Sequence, residues 1–169
     1  VDTERGFLTG FADQRNYRAN TNSYAWYLRS QGYAAEGCHP SYEWFYNRLN
    51  VNRYLGIPDY YFIENRFRDL YPHGEAPDEI LFPEILRLYE TNRDGGGAPY
   101  FSFNVTYQGH GPYSTEDVWR GQHFTDGRYS TETANIVDNY LGSVMDTGRQ
   151  LQVLFDRFRE EERPVVLVV

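Results

Sequence analysis

The chain has 169 residues, 40% of them hydrophobic, which supplies enough apolar mass for one domain with a buried core and excludes a wholly disordered chain. A formal charge of -8 excludes a nucleic-acid binder, because such proteins need a basic footprint to displace counterions from phosphates. One cysteine, Cys38, excludes an internal disulfide and a thiolate metal cluster, and no run approaches the roughly 18 apolar residues of a membrane span.

In chain order, Ser23 to Gln31 reads as a short helix, capped by Ser23 or Asn22 and stopped by Gly32. Ala34 to Cys38 follows as a strand that delivers His39. Asn47 to Leu55 is a second short helix closed by Gly56, and Asp59 to Glu64 is a strand rich in aromatics. Pro77 to Asn92 is a clear helix: Pro77 suits the first turn, Asp78 and Glu79 match the positive dipole end, and Ile80, Leu81, Ile85, Leu88 and Tyr89 form an apolar face. Tyr100 to Tyr107 is the best central strand and runs into the turn Gln108-Gly109-His110-Gly111-Pro112. Tyr113 to Ser130 is a polar, glycine-punctuated loop. The longest predicted helix, Thr131 to Glu161, carries Ile136, Val137, Tyr140, Leu141, Val144, Leu151, Leu154, Phe155 and Phe158 on an apolar repeat. Val165 to Val169 reads as a buried parallel strand. Strands alternating with helices predict an α/β fold in one domain spanning residues 1–169.

In open α/β sheets ligands collect outside the carboxyl ends of the strands, and both His39 and His110 follow predicted strands. Pro40 biases His39 towards extended backbone. Arg48, on the helix that follows, offers a planar fork suited to phosphate or sulfate. His110 lies between two glycines, so its backbone can approach a ligand closely. His73 and His123 read as ordinary loop residues. All 16 basic residues are arginine, which codon bias also explains. Gly95-Gly96-Gly97 lacks the Gly-Lys-Ser/Thr of a P-loop, Asn104-Val105-Thr106 is a chance sequon within a strand, and no HExxH, EF-hand or nucleophile elbow is present. Sixteen Tyr and eleven Phe suit sugar-stacking platforms as well as a core, and most are assigned to the core.

The segment His39-Pro40-Ser41-Tyr42-Glu43-Trp44-Phe45-Tyr46-Asn47-Arg48 resembles the His-Pro, then Phe-Trp-Asn-Arg, motif of the lipoteichoic acid synthase family, the sulfatase-like branch of the alkaline phosphatase superfamily. Tyr107 to Tyr113 is similar to that family's Asn-His-x-Pro-Phe turn, Asn139-Tyr140-Leu141 to the opening of its long helix, and Arg163 to Val169 to the strand leading into its Gly-Asp-His metal motif. The resemblance implies a partial alkaline-phosphatase-like (sulfatase-like) sheet with helices on its faces, truncated at both ends. It also implies a substrate-binding set of His39, Tyr46, Arg48 and His110. Tyr46 stands where the family has Trp, keeping an aromatic wall and adding a hydroxyl.

The activity implied is metal-dependent phosphoglycerol transfer or sulfatase-type ester hydrolysis, with a Thr nucleophile and a divalent cation, typically manganese. The substrate would be a phosphoglycerol lipid or another anionic ester, and the parent enzyme would be extracytoplasmic and membrane-anchored. By this alignment the nucleophile and metal ligands fall outside residues 1–169, so the piece alone is expected to be inactive and metal-free. Unpaired sheet edges leave open an edge-mediated dimer. The rival reading is a non-catalytic glycan- or cell-wall-binding module with an aromatic surface, and a third is a structural domain.

Overall fold

The computed structural model describes residues 2–11, 17–19 and 21–169. The chain forms two compact units, Val1–Tyr107 and Gln108–Val169.

The first unit contains α1 (Asp2–Thr9), α2 (Tyr24–Ser30), β1 (Ala34–Cys38), a 3-10 turn (Phe45–Asn47), α3 (Arg48–Tyr54), β2 (Asp59–Tyr61), a π-helical turn (Ile63–Phe67) continuing into α4 (Arg68–Leu70), α5 (Asp78–Asp94) and β3 (Tyr100–Ser102). The strands form a parallel sheet in the order β2-β1-β3, so the strand that ends at His39 is central. α2 begins as its sequence requires, with the Ser23 hydroxyl accepting the Trp26 N–H at 3.1 Å, and Gly32 leaves it at φ +89°.

Side chains alternate across the sheet. Tyr60 joins Leu8, Ala25, Val51, Leu55, Ile57 and Phe62 in one core cluster, built from α1, α2 and α3. Tyr61 lies instead beside Glu36 and Arg87, the latter on α5, so helices cover both faces. On the α5 side the buried Glu84 carboxylate accepts two bonds from Arg66, each at 2.8 Å, and two from Arg87 at 2.8 and 2.6 Å. Burial works against its charge, but the Arg87 and Arg66 bonds outweigh that effect and hold its carboxyl below the usual range. The paired guanidiniums tie the π-helical turn to α5. Cys38 is fully buried, and burial pushes its thiol well above the ordinary range.

Two strands are shorter than the sequence predicts, for one reason: an asparagine side chain replaces a ladder partner. At β2, Asn65 Oδ1 accepts the Phe62 N–H at 2.6 Å and its Nδ2 donates to the Tyr60 carbonyl at 3.0 Å. The chain therefore turns into a π-helical coil where Asp59 to Glu64 predicts continued strand. At β3, Asn104 Oδ1 accepts the Cys38 N–H at 3.0 Å. The segment still runs beside β1, because Phe103 N–H reaches Glu36 O at 3.1 Å and Val105 N–H reaches Cys38 O at 2.9 Å. The Asn104 sequon thus carries a backbone-pairing amide.

The second unit is built on α6 (Thr131–Arg159), whose first turn is capped by Ser130 accepting the Thr133 N–H at 3.3 Å. Its apolar repeat supplies one buried residue, Leu154. Ile136, Tyr140, Val144 and Phe155 are exposed, whereas Asn135, Asp138, Asn139, Gly142 and Ser143 are buried. These buried positions also recur at i, i+3, i+4 and i+7, but their groups satisfy the backbone of a loop instead of filling an apolar core. Val165 to Val169, predicted as a strand, has no ladder partner among the described residues, and Val166 and Val169 are 87% and 86% exposed. An apolar run becomes a strand only where another strand accepts its backbone bonds.

Candidate functional site

The central strand ends at His39, which is 2% exposed. Its N–H donates to the Tyr61 carbonyl at 2.9 Å, and its ring Nδ1 lies 2.9 Å from the Val105 carbonyl. A carbonyl only accepts, so Nδ1 carries the proton, and in the neutral ring the lone pair belongs to Nε2. The imidazole packs edge-on to Tyr107 at 6.1 Å between ring centroids. The end of β2, the end of β1 and the segment after β3 thereby converge on one residue, His39.

From Pro40 the chain climbs through Tyr42, Trp44, Phe45 and Tyr46. Tyr46 and Asn47 both adopt left-handed backbone, at φ 56° and 55°, a conformation that costs bulky residues on the order of 1–3 kcal/mol each. Helix α1 holds this turn with adjacent residues. Arg5 Nη2 donates to the Tyr46 carbonyl at 2.9 Å, and Glu4 Oε1 accepts from Arg48 Nη2 at 2.7 Å. Asn50 Nδ2 donates to Asn47 Oδ1 at 2.7 Å.

Arg48 is 7% exposed, its guanidinium carbon lies 5.4 Å from the Tyr46 ring centroid, and its Nε is buried with no hydrogen-bond partner among the described residues. Burial raises the Glu4 carboxyl, but the Arg48 charge and hydrogen bond overcome this and leave it lowered. The planar fork of a pre-oriented guanidinium suits the geometry of a tetrahedral oxyanion.

His110 belongs to the second unit. It is exposed, with Nδ1 2.5 Å from the Gly111 carbonyl, on a turn where the Tyr113 hydroxyl donates to the Gly109 carbonyl at 2.5 Å. The buried face of α6 anchors the loop that follows. Asp138 Oδ1 accepts the His123 and Phe124 N–H groups at 2.5 and 2.6 Å. Asn139 accepts the Trp119 N–H at 3.0 Å and donates to the Asp117 carbonyl at 2.7 Å, and Asn135 donates to the Thr115 carbonyl at 2.8 Å. Gln108 Nε2 reaches the Ser143 carbonyl at 3.3 Å.

Asp138→Ala removes the acceptor shared by two backbone amides, a loss of about 2 kcal/mol for bonds to a charged group. The expected result is faster hydrogen exchange at His123 and Phe124; unchanged protection there would show that Asp138 does not hold the loop.

Of the four residues read from the sequence, the structure brings Tyr46 and Arg48 together, sets His39 at the end of β1 in the same unit, and places His110 in the other unit. Glu4, Arg5 and Asp138 were not anticipated. The acidic Asp2 and Glu4 in the first turn of α1 were the available signal for that helix. Among the described residues no group of three or more His, Cys, Asp or Glu side chains is arranged to hold a metal ion, and no helix is long and apolar enough to cross a membrane.

The Sulfatase family profile matches residues 3–169. The chain belongs to the sulfatase family. A protein of Rhizobium meliloti (strain 1021) named for cyclic beta-1,2-glucan modification is 29% identical over 173 residues, covering 96% of this sulfatase-family chain and 26% of that relative. In fold the chain is similar to the lipoteichoic acid synthase LtaP of Listeria monocytogenes, with TM-score 0.74 at 16% identity, over 94% of this chain and 40% of that one. It is also similar to an alkaline phosphatase superfamily protein of Vibrio parahaemolyticus, with TM-score 0.54 at 18% identity, over 88% of this chain and 38% of that one. This sulfatase-family chain thus spans well under half the length of each of these proteins.

Proposed function

We propose that the chain is the substrate-recognition part of a metal-dependent phosphoglycerol transferase or sulfatase-type ester hydrolase. The observation that carries the reading is the buried Arg48 guanidinium, set over Tyr46 by Glu4 on the segment that leaves the central strand at His39. Arg48 would bind the non-bridging oxygens of the ester, Tyr46 would wall the head group, and the His39 imidazole would contact the ester or its leaving oxygen; His110 enters the proposed substrate-binding set through the family motif alone. The divalent cation belonging to this chemistry finds no ligand set among the described residues, so no step is assigned to it here. Extracytoplasmic placement and membrane anchoring of the intact enzyme belong to the same proposal.

The Rhizobium relative's name supports a carbohydrate as second substrate. In net terms a sugar hydroxyl oxygen would form the new bond to phosphorus as the bond to the donor's leaving oxygen breaks, and the hydroxyl proton would end on that leaving oxygen. The test is to incubate the full-length protein with manganese and a phosphoglycerol donor, then separately with a chromogenic sulfate ester, and to follow release of the leaving group. Release from the phosphoglycerol donor or the sulfate ester is the expected result. Release from neither overturns the proposal.

A further inference from the structure

From Tyr42 to Tyr46 four of five residues are aromatic, and the exposed indole of that run is Trp44. Its ring is 66% exposed, yet it is braced on two sides: the Tyr42 centroid lies 5.7 Å away at 31° and the Phe45 centroid 5.5 Å away at 80°. Phe45 in turn meets Tyr46 at 4.4 Å, and Tyr46 lies under the Arg48 guanidinium. The aromatic contacts are therefore continuous from the oxyanion grip to an open indole. A braced ring costs little conformational entropy when a ligand settles on it, and it is held out in water at the loss of the burial that an indole ordinarily gains.

The polar groups beside the ring narrow the class of ligand. Asn47 and Asn50 are exposed and linked to each other through one amide pair, and the Asn47 backbone N–H donates to the Trp44 carbonyl at 2.9 Å, so the turn that carries the indole also carries neutral amide donors and acceptors. The Glu43 N–H is fixed by the exposed Glu64 carboxylate at 3.1 Å. An apolar platform edged by neutral amides and carboxylates suits a polyol with flat C–H faces. It disfavours an acyl chain, which would bury the amides unpaired.

We infer that Trp44, braced by Tyr42 and Phe45 on the turn that Asn47 shares, is an acceptor subsite that stacks a pyranose ring of a β-glucan beside the ester-binding Arg48. The inference rests on the transferase reading above and adds where, and through which residues, the carbohydrate docks. The experiment uses the full-length protein with a phosphoglycerol donor, following donor cleavage to water and transfer to β-1,2-linked gluco-oligosaccharides as separate products.

Trp44→Ala is expected to raise the KM for the oligosaccharide at least about tenfold while leaving donor cleavage to water within about twofold. Trp44→Phe should recover most of the loss, and the wild-type Trp fluorescence should shift on addition of the oligosaccharide alone. Transfer by Trp44→Ala at an unchanged KM overturns the subsite. Equal falls in transfer and in donor cleavage also overturn it, since they assign Trp44 to the folding of the turn. A wild-type protein that cleaves no donor but still binds the oligosaccharide through Trp44 sinks the transferase reading and keeps the subsite.

Discussion

Arg48→Ala is expected to lower kcat/KM of the full-length enzyme for its anionic ester by a factor of about 10²–10³, the range seen when a pre-oriented donor to a developing oxyanion is removed. Arg48→Lys should recover only part of this, because an ammonium keeps the charge and loses the planar fork. The effect should fall on turnover as well as on KM, since charge on the ester oxygens grows on the way to the transition state. Activity within about threefold of wild type would show that Arg48 serves the fold alone.

A structural role is separable by its pH dependence. In the wild type Arg48 holds the Glu4 carboxyl below its ordinary value. The stability contributed by this pair is present above the unfolded value of about 4.3 and is lost as the pH falls through the folded value. Without Arg48 its charge and hydrogen bond no longer oppose burial, so the carboxyl moves up from its wild-type position. The stability that Glu4 loses on acidification is then smaller. Thermal melts of wild type and variant between pH 3 and 7 should show a shallower acid-side fall for the variant; parallel slopes would mean the two side chains are not coupled.

The second large effect is expected at Gly37, in the middle of β1. A Cβ there would sit 2.0 Å from the Phe103 carbonyl oxygen and 2.7 Å from Tyr60 Cε2. The first of these is backbone and cannot rotate away, so Gly37→Ala must push the segment after β3 off the central strand. Overpacking of this kind costs about 3 kcal/mol or more, and for a chain of this size that lowers Tm by roughly 10 °C. The displaced segment includes Val105, whose carbonyl fixes the His39 ring. Gly37→Ala is therefore expected to lose activity at temperatures where the protein is still folded. A variant melting within about 2 °C of wild type would show that the strands separate without penalty.

Much of the first unit was legible in the sequence because its signals are local. Ala34–Cys38 and the capped helices on either side of it depend on short-range chemistry, namely Ser23, Gly32 and a run of small apolar residues. The strand ends were not legible, because Asn65 and Asn104 stop or replace the ladder only through partners that the fold brings to them. The α6 helix was legible almost to its ends, but its buried face was not: an apolar repeat was present, while a polar repeat one position away had an entire loop backbone to satisfy. At the candidate site, the pairing of Tyr46 with Arg48 could be read from their spacing in a known motif. The Glu4–Arg5 hold on that pair could not, since it spans more than forty residues and acts on a left-handed backbone that Asn47 favours but Tyr46 does not announce.

The lone cysteine of the central strand gives the molecule an internal gauge. Cys38 is sealed while β1 is zipped to its neighbours and its thiol resists ionisation there, so an alkylating reagent reacts only with molecules whose sheet has opened. Since the adjacent residue is His39, the kinetics of that labelling clock how often the histidine's own scaffold comes apart.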